Sequence, residues 1–132
     1  MELSFINPES VHKPVGYTHI VAVKGAGSIA FISGQVAKNQ KGDIVGIGDL
    51  EVQAKQVYEN ISSNLKKIGA TFSDVLKQNI YTTRPDQIDI IRKVRDQYFP
   101  QNRRPASTLI GVTRLAEKDF LIEIEVVVAL AQ

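Results

Sequence analysis

The sequence contains no cysteine and no tryptophan, one methionine and only two histidines. Without cysteine there is no disulfide framework, no thiolate metal ligand and no thiol nucleophile. His12 and His19 stand seven residues apart, a spacing that fits no zinc motif, so neither a metal nor a cofactor is expected. No apolar run approaches the roughly 20 residues that span a bilayer. With no signal-like segment either, a cytoplasmic location is the expectation. Charge of one sign is also scarce: 16 Lys and Arg against 14 Asp and Glu leave a formal net charge of +2. Spread along the chain, that balance argues against nucleic acid or an anionic membrane as a partner.

What is present is an ordinary globular composition, with 43% hydrophobic residues in 132. That length suits a single domain over residues 1–132, burying roughly two-thirds of its unfolded surface. Leu3 to Ile6 reads as a short edge strand before the Asn7-Pro8 turn. Ile20 to Lys24 and Ile29 to Ser33, separated by Gly25-Ala26-Gly27-Ser28, read as a hairpin. Ser33-Gly34-Gln35 closes the second of these strands, where glycine permits either a bulge or a close backbone approach. Val36 to Gly48 is a loop, and its glycines lack the Gly-Lys-Ser/Thr of a phosphate loop.

Asp49 caps a helix running to about Ile68, with Gly69 just past its end. Leu50, Ala54, Val57, Ile61, Leu65 and Ile68 form its apolar stripe, with Gln53 off the stripe or on its margin. Lys77 to Thr82 follows as a strand. A second helix starts at Pro85 or Asp86 and ends near Phe99-Pro100, with Ile88, Ile91, Arg95 and Tyr98 on one face.

Residues Pro105 to Leu115 and Phe120 to Val128, joined by a short charged turn, read as a closing β-hairpin. In its second arm Phe120, Ile122, Ile124, Val126 and Val128 line one face, while Glu123 and Glu125 stand on the other. Each carboxylate is either solvated or held by a partner, since burying an unpaired charge costs several kcal/mol. The order β-β-β-α-β-α-β-β predicts an α+β domain, a mixed sheet of about six strands with two helices on one face. The opposite face then stays uncovered although the strand at Ile29 to Ser33 is apolar on both faces (Ile29 and Phe31, Ala30 and Ile32) and the last strand is largely apolar on its Glu-bearing side, which points to self-association.

Taken in order, Gly16-Tyr17, Ser33-Gly34-Gln35, Gly69-Ala70, Tyr98-Phe99, Arg104-Pro105-Ala106, Val112-x-Arg114-Leu115 and Ile122-Glu123-Ile124-Glu125 resemble the Rid family of reactive-intermediate (enamine/imine) deaminases, the YjgF type. The resemblance implies a chorismate-mutase-like fold and a homotrimer with ligand pockets in the clefts between subunits. It also implies a small imine or enamine metabolite as partner and hydrolysis as the activity. The water-positioning glutamate falls on Glu123, and the family's pocket tyrosine and serine fall on Tyr17 and Ser33. Where imine-hydrolysing members carry a carboxylate-gripping arginine after Pro-Ala, this chain has Ser107.

A planar guanidinium binds a carboxylate with two parallel hydrogen bonds, each contributing about 1.5–3 kcal/mol. A serine hydroxyl offers one donor and no charge. An atypical substrate therefore follows, contacted by Ser107 and Thr108, with weak hydrolysis of 2-iminobutyrate. Otherwise Arg92, Arg104 or Arg114 supplies the missing charge. Arg92 sits where the family places a pocket-lining asparagine. His19 shares the face of Tyr17 and is a candidate proton donor to departing ammonia. The alternative is a non-catalytic trimer that binds a metabolite in the same cleft.

Overall fold

A computed structural model describes residues 1–132. Its strands are β1 (Glu2–Ile6), β2 (Ile20–Lys24), β3 (Ser28–Gln35), β4 (Val75–Thr82), β5 (Ala106–Gly111) and β6 (Ile122–Leu130). Its helices are α1 (Leu50–Lys67) and α2 (Ile88–Arg95), with short 3-10 turns at Phe72–Asp74 and Pro85–Gln87. The class is α+β, as the element order predicts, in the chorismate-mutase-like arrangement that the resemblance implies. No helix is long and apolar enough to cross a membrane.

The reading of α1 holds at both ends, but Ile68 is exposed rather than on the buried stripe, and α2 stops at Arg95, short of the expected Phe99. Asp49 accepts a hydrogen bond from the Val52 amide at 3.1 Å, satisfying one of the free donors of the first turn. Gly69 takes the left-handed conformation (φ 73°) that ends the helix. Leu50, Ala54, Val57, Ile61 and Leu65 are all buried against the sheet. Gln53 differs from its reading. It is fully buried, donating to the carbonyls of Gly46 and Asp119 and accepting from the Leu121 amide at 2.9 Å. One amide side chain thus fastens two loops to α1, and it fits inside because both of its ends are satisfied.

The strand pairings correct two expectations. The four-stranded sheet has the order β3-β6-β4-β5, and β1 and β2 form a separate antiparallel pair. β5 therefore does not pair with β6. It runs parallel to β4, reached through the α2 crossover, and β6 inserts antiparallel between β3 and β4. Nor does β2 pair with β3: β2 joins β1, with Ile6 opposite Ile20, and β3 joins β6, with Ser28 opposite Leu130. Proximity in sequence and β-propensity mark strands but do not choose partners. Burial chooses here: β6 is apolar enough to sit at the centre, while Thr108, Ile110 and Gly111 of β5 are exposed, as an edge tolerates.

The core lies between the helices and one face of the sheet. Val75, Ile80, Ile122, Ile124, Val126 and Val128 point there, meeting Val57, Ile61, Ile91 and Val94. The opposite face carries Phe31, which is 80% exposed. That apolar side chain has no cover within the chain.

Candidate functional site

Strand alternation divides the site residues. Across the β4–β6 pair Tyr81 stands opposite Glu123 and Asn79 opposite Glu125, and across β4–β5 Asn79 stands beside Thr108. These residues share the open face with Phe31, which is paired with Val127. Glu125 is the held carboxylate: it accepts from the Tyr81 hydroxyl at 2.8 Å and from Asn79 Nδ2 at 3.3 Å. That hydrogen bond is the main reason the Tyr81 phenol is pushed above its ordinary value. Thr108 Oγ1 accepts from Lys77 Nζ at 2.7 Å.

Glu123 takes no hydrogen bond from the side chains or amides around it and instead lies over Gly34. A Cβ built on Gly34 would fall 2.0 Å from Glu123 Oε2. The register of β3 shifts between Ile32 and Gln35 at the same point. Gly34 thus provides both a bulge and a close approach, and what approaches is a carboxylate. Ser33 and Gly34 bring the backbone of β3 beside Glu123. Of the two carboxylates it is therefore Glu125, not Glu123, that has side-chain partners. The unshared oxygens of Glu123 are the ones open to a water molecule.

Ser107 faces the other way. Its strand partner is Gln78, whose side chain is fully buried on the helix side. Ser107, Tyr17, Arg92 and Arg95 line a cavity of about 210 Å³ between α2 and the β4–β5 edge, walled by Ile80, Ile88, Ile91 and Leu109. Tyr17 Oη is hydrogen-bonded to His12 Nε2 at 2.8 Å. His19 Nε2 donates to the His12 carbonyl at 2.7 Å, and its ring meets those of His12 and Tyr17 edge-on. Nε2 of His19 is thus engaged by the backbone, and its ring packs edge-on against Tyr17.

The arginines sort themselves by partner. Arg114 is exposed and donates to the Leu115 and Ala116 carbonyls. Arg104 is ion-paired with Asp96. Arg92 reaches Asp89 at 3.6 Å and stays 41% exposed. Arg95, on the face of α2 that the sequence assigns to Ile88, Ile91 and Tyr98, is 6% exposed and lines the cavity. The available signal was a cation among Ile88, Ile91 and Tyr98 at helical spacing. Burial works against the Asp96 carboxylate, but hydrogen bonds from Arg104 and Arg95 outweigh it and hold its pKa below the ordinary value.

Two groups result. Tyr17, Ser107 and Arg92 sit together on the helix side of the β5 edge, and Ser33, Thr108 and Glu123 are on the open face. Ser107 and Glu123 lie two strands apart, about 10 Å, on opposite sides of the sheet.

The family model described as Endoribonuclease L-PSP matches residues 10–130. A RutC family protein from Synechocystis is 33% identical over 132 residues, covering 98% of each chain. The 3-aminoacrylate deaminase RutC of Acinetobacter baylyi is 32% identical, over 94% of this chain and 95% of its own. The solved structure of YyfB, a Rid family protein of unknown function from Yersinia pestis, superposes with a TM-score of 0.86. It is 34% identical and covers 98% of this chain and all of its own. With the fold, the Ser33-Gly34 seat of Glu123 and these relatives in agreement, the chain belongs to the Rid (YjgF-type) family.

Proposed function

We propose that this protein hydrolyses a small imine or enamine at a site assembled between copies of the chain. The observation that carries the reading is the carboxylate of Glu123, seated on Gly34 and free of partners, beside a Glu125 whose Oε1 takes two hydrogen bonds. A partner-free carboxylate on a fixed strand can accept a proton from water. Water then adds to the C=N carbon, its oxygen bonding to carbon while one proton passes to Glu123. Glu123 returns that proton to the nitrogen, giving a carbinolamine; it then takes the hydroxyl proton and passes it to the nitrogen as the C–N bond breaks, releasing ammonia and a carbonyl product. An enamine is first protonated at carbon and enters as the imine. The Acinetobacter baylyi relative is named for an enamine deamination, which supports the reaction class.

The division of residues supports assembly. One small substrate cannot touch Ser107 and Glu123 of the same chain through the sheet. A second copy offering its open face to the β5 edge of the first would bring both groups into one cleft. Such a contact joins two different surfaces and repeats around a ring, which agrees with a homotrimer. Phe31 supplies an apolar anchor on the face concerned. RNA is disfavoured there, because Glu123 and Glu125 repel a phosphate backbone.

The test is ammonia release from imines generated in situ, anionic and neutral, by wild type and Glu123→Gln. Turnover by wild type that falls by two or more orders of magnitude in an equally folded Glu123→Gln supports the reading. Equal rates in the two proteins would remove Glu123 from the chemistry. Binding without ammonia release from any imine would leave a metabolite-binding protein.

A further inference from the structure

The cavity behind Ser107 contains a cation whose surroundings do not explain it. Arg95 is 6% exposed, yet only its Nε has a partner, Asp96 Oδ1 at 3.1 Å. An arginine has five N–H donors, and the four on Nη1 and Nη2 meet no acceptor in the chain. Asp96 is itself shared, because Arg104 pairs with the same oxygen. Two guanidinium groups on one carboxylate leave one positive charge uncompensated. Tyr58, close enough to feel that charge, gives no relief: burial pushes its phenol far up, so it stays neutral. Arg92 adds a second cation at the rim, tied only to Asp89.

The guanidinium is also held in place. A Cβ on Gly16 would come within 1.9 Å of Arg95 Nη2, so the Gly16 backbone, at φ 77°, lies directly against it. The adjacent Tyr17 lines the same cavity. The free Nη donors keep contact with solvent, so an anion entering the cavity exchanges water for a charge-assisted pair with a guanidinium already fixed in place. Around it stand the Ser107 hydroxyl and walls of Ile80, Ile88, Ile91 and Leu109. The cavity, at about 210 Å³, takes a few carbon atoms beside one charged head.

We propose that Arg95, assisted by Arg92 at the rim and the Ser107 hydroxyl, anchors the carboxylate of a small aliphatic substrate or product. The helix α2 supplies the charge that position 107 lacks. The inference rests on the hydrolase reading for its reaction, which it narrows to imino or enamino acids with short apolar chains. The binding site itself stands on the half-paired guanidinium.

The experiment measures binding by calorimetry of two stable probes to the assembled protein: 2-oxobutanoate and its neutral isostere 2-oxobutanamide. Hydrogen bonds from a guanidinium to a carboxylate are strong enough to predict at least a tenfold preference for the anion in wild type. Arg95→Gln should abolish that preference, Arg95→Lys should retain part of it, and Arg92→Gln should reduce it by a smaller factor. The wild-type comparison needs no variant, so misfolding of Arg95→Gln leaves the proposal exposed to refutation. Equal affinity for the two probes, no binding of the anion, or an undiminished preference in folded Arg95→Gln overturns it. A clear anion preference without ammonia release from any imine sinks the hydrolase reading and keeps the anchor. Ammonia release from neutral and anionic imines at equal rates, without anion preference, sinks the anchor and keeps the hydrolase.

Discussion

Gly34→Ala should separate stability from chemistry. Gly34 has no positive φ, so alanine is allowed by the backbone, and removing a glycine from a strand restrains the unfolded chain by about 0.4–1 kcal/mol. The new methyl group would stand 2.0 Å from Glu123 Oε2 and 2.8 Å from its Cδ, whereas ordinary contact begins at 3.4 Å. The carboxylate must therefore retreat by about 1.4 Å, a displacement of the size that costs roughly 100-fold in rate. That loss corresponds to about 2.7 kcal/mol of transition-state stabilisation. Because the colliding atoms are the far end of a flexible side chain, the fold relaxes around them and net stability should change by less than about 1 kcal/mol. The assay is paired: kcat from ammonia release, and unfolding in urea on the same preparations. Unchanged kcat would mean that the position of Glu123 over Gly34 is irrelevant to the reaction. Loss of activity in proportion to unfolded protein would equally refute the reasoning.

Phe31→Glu should reduce the mass measured by light scattering while leaving the circular dichroism of the chain intact, since Phe31 is 80% exposed in the single chain. An unchanged mass would show that this face is not where copies meet. Asp96 has a lowered folded-state pKa, so its contribution to stability is present above its ordinary value of 3.8 and is lost as pH falls through the lowered value. The stability gap between wild type and Asp96→Asn, from urea midpoints, should therefore be widest near neutrality and shrink in that acidic window; a pH-independent gap would contradict this. Tyr58 donates to Gln78 Oε1 at 3.0 Å, while Gln78 Nε2 is buried without a partner. Tyr58→Phe alone should cost about 1–3 kcal/mol, and adding Gln78→Met should recover most of it, since removing both polar groups removes both desolvation penalties. A double variant no more stable than the single one would refute that.

Much of the fold was legible because its signals are local. Asp49, the stripe from Leu50 to Leu65 and Gly69 specify α1 without reference to the rest of the chain. Pairing was not legible: the parallel partner of β5 is separated from it by α2, and nothing in Ala106–Gly111 names β4 over β6. For the candidate site, motifs name Glu123, Ser33, Tyr17 and Ser107, but the division of these residues between two faces depends on pairings that the motifs do not encode. Gly34 was recognised as a place of close approach, though not what would approach. Arg95 escaped notice because an arginine on an apolar stripe passes for a snorkelling side chain, and only its burial and its missing acceptors distinguish it.

The position of β6 has a consequence for how the protein comes into being. β6 is the last strand in sequence, yet it lies between β3 and β4, and no ladder joins those two strands directly. As the chain is synthesised from its N-terminus, α1 can coil early, but the apolar face it must cover does not exist until Ile122 to Leu130 arrive. The sheet closes in one late event that joins segments far apart in sequence, an arrangement that slows folding and leaves β3 and β4 unpaired in the meantime. During that interval the exposed edges of Ser28–Gln35 and Val75–Thr82 are the segments through which nascent chains would aggregate.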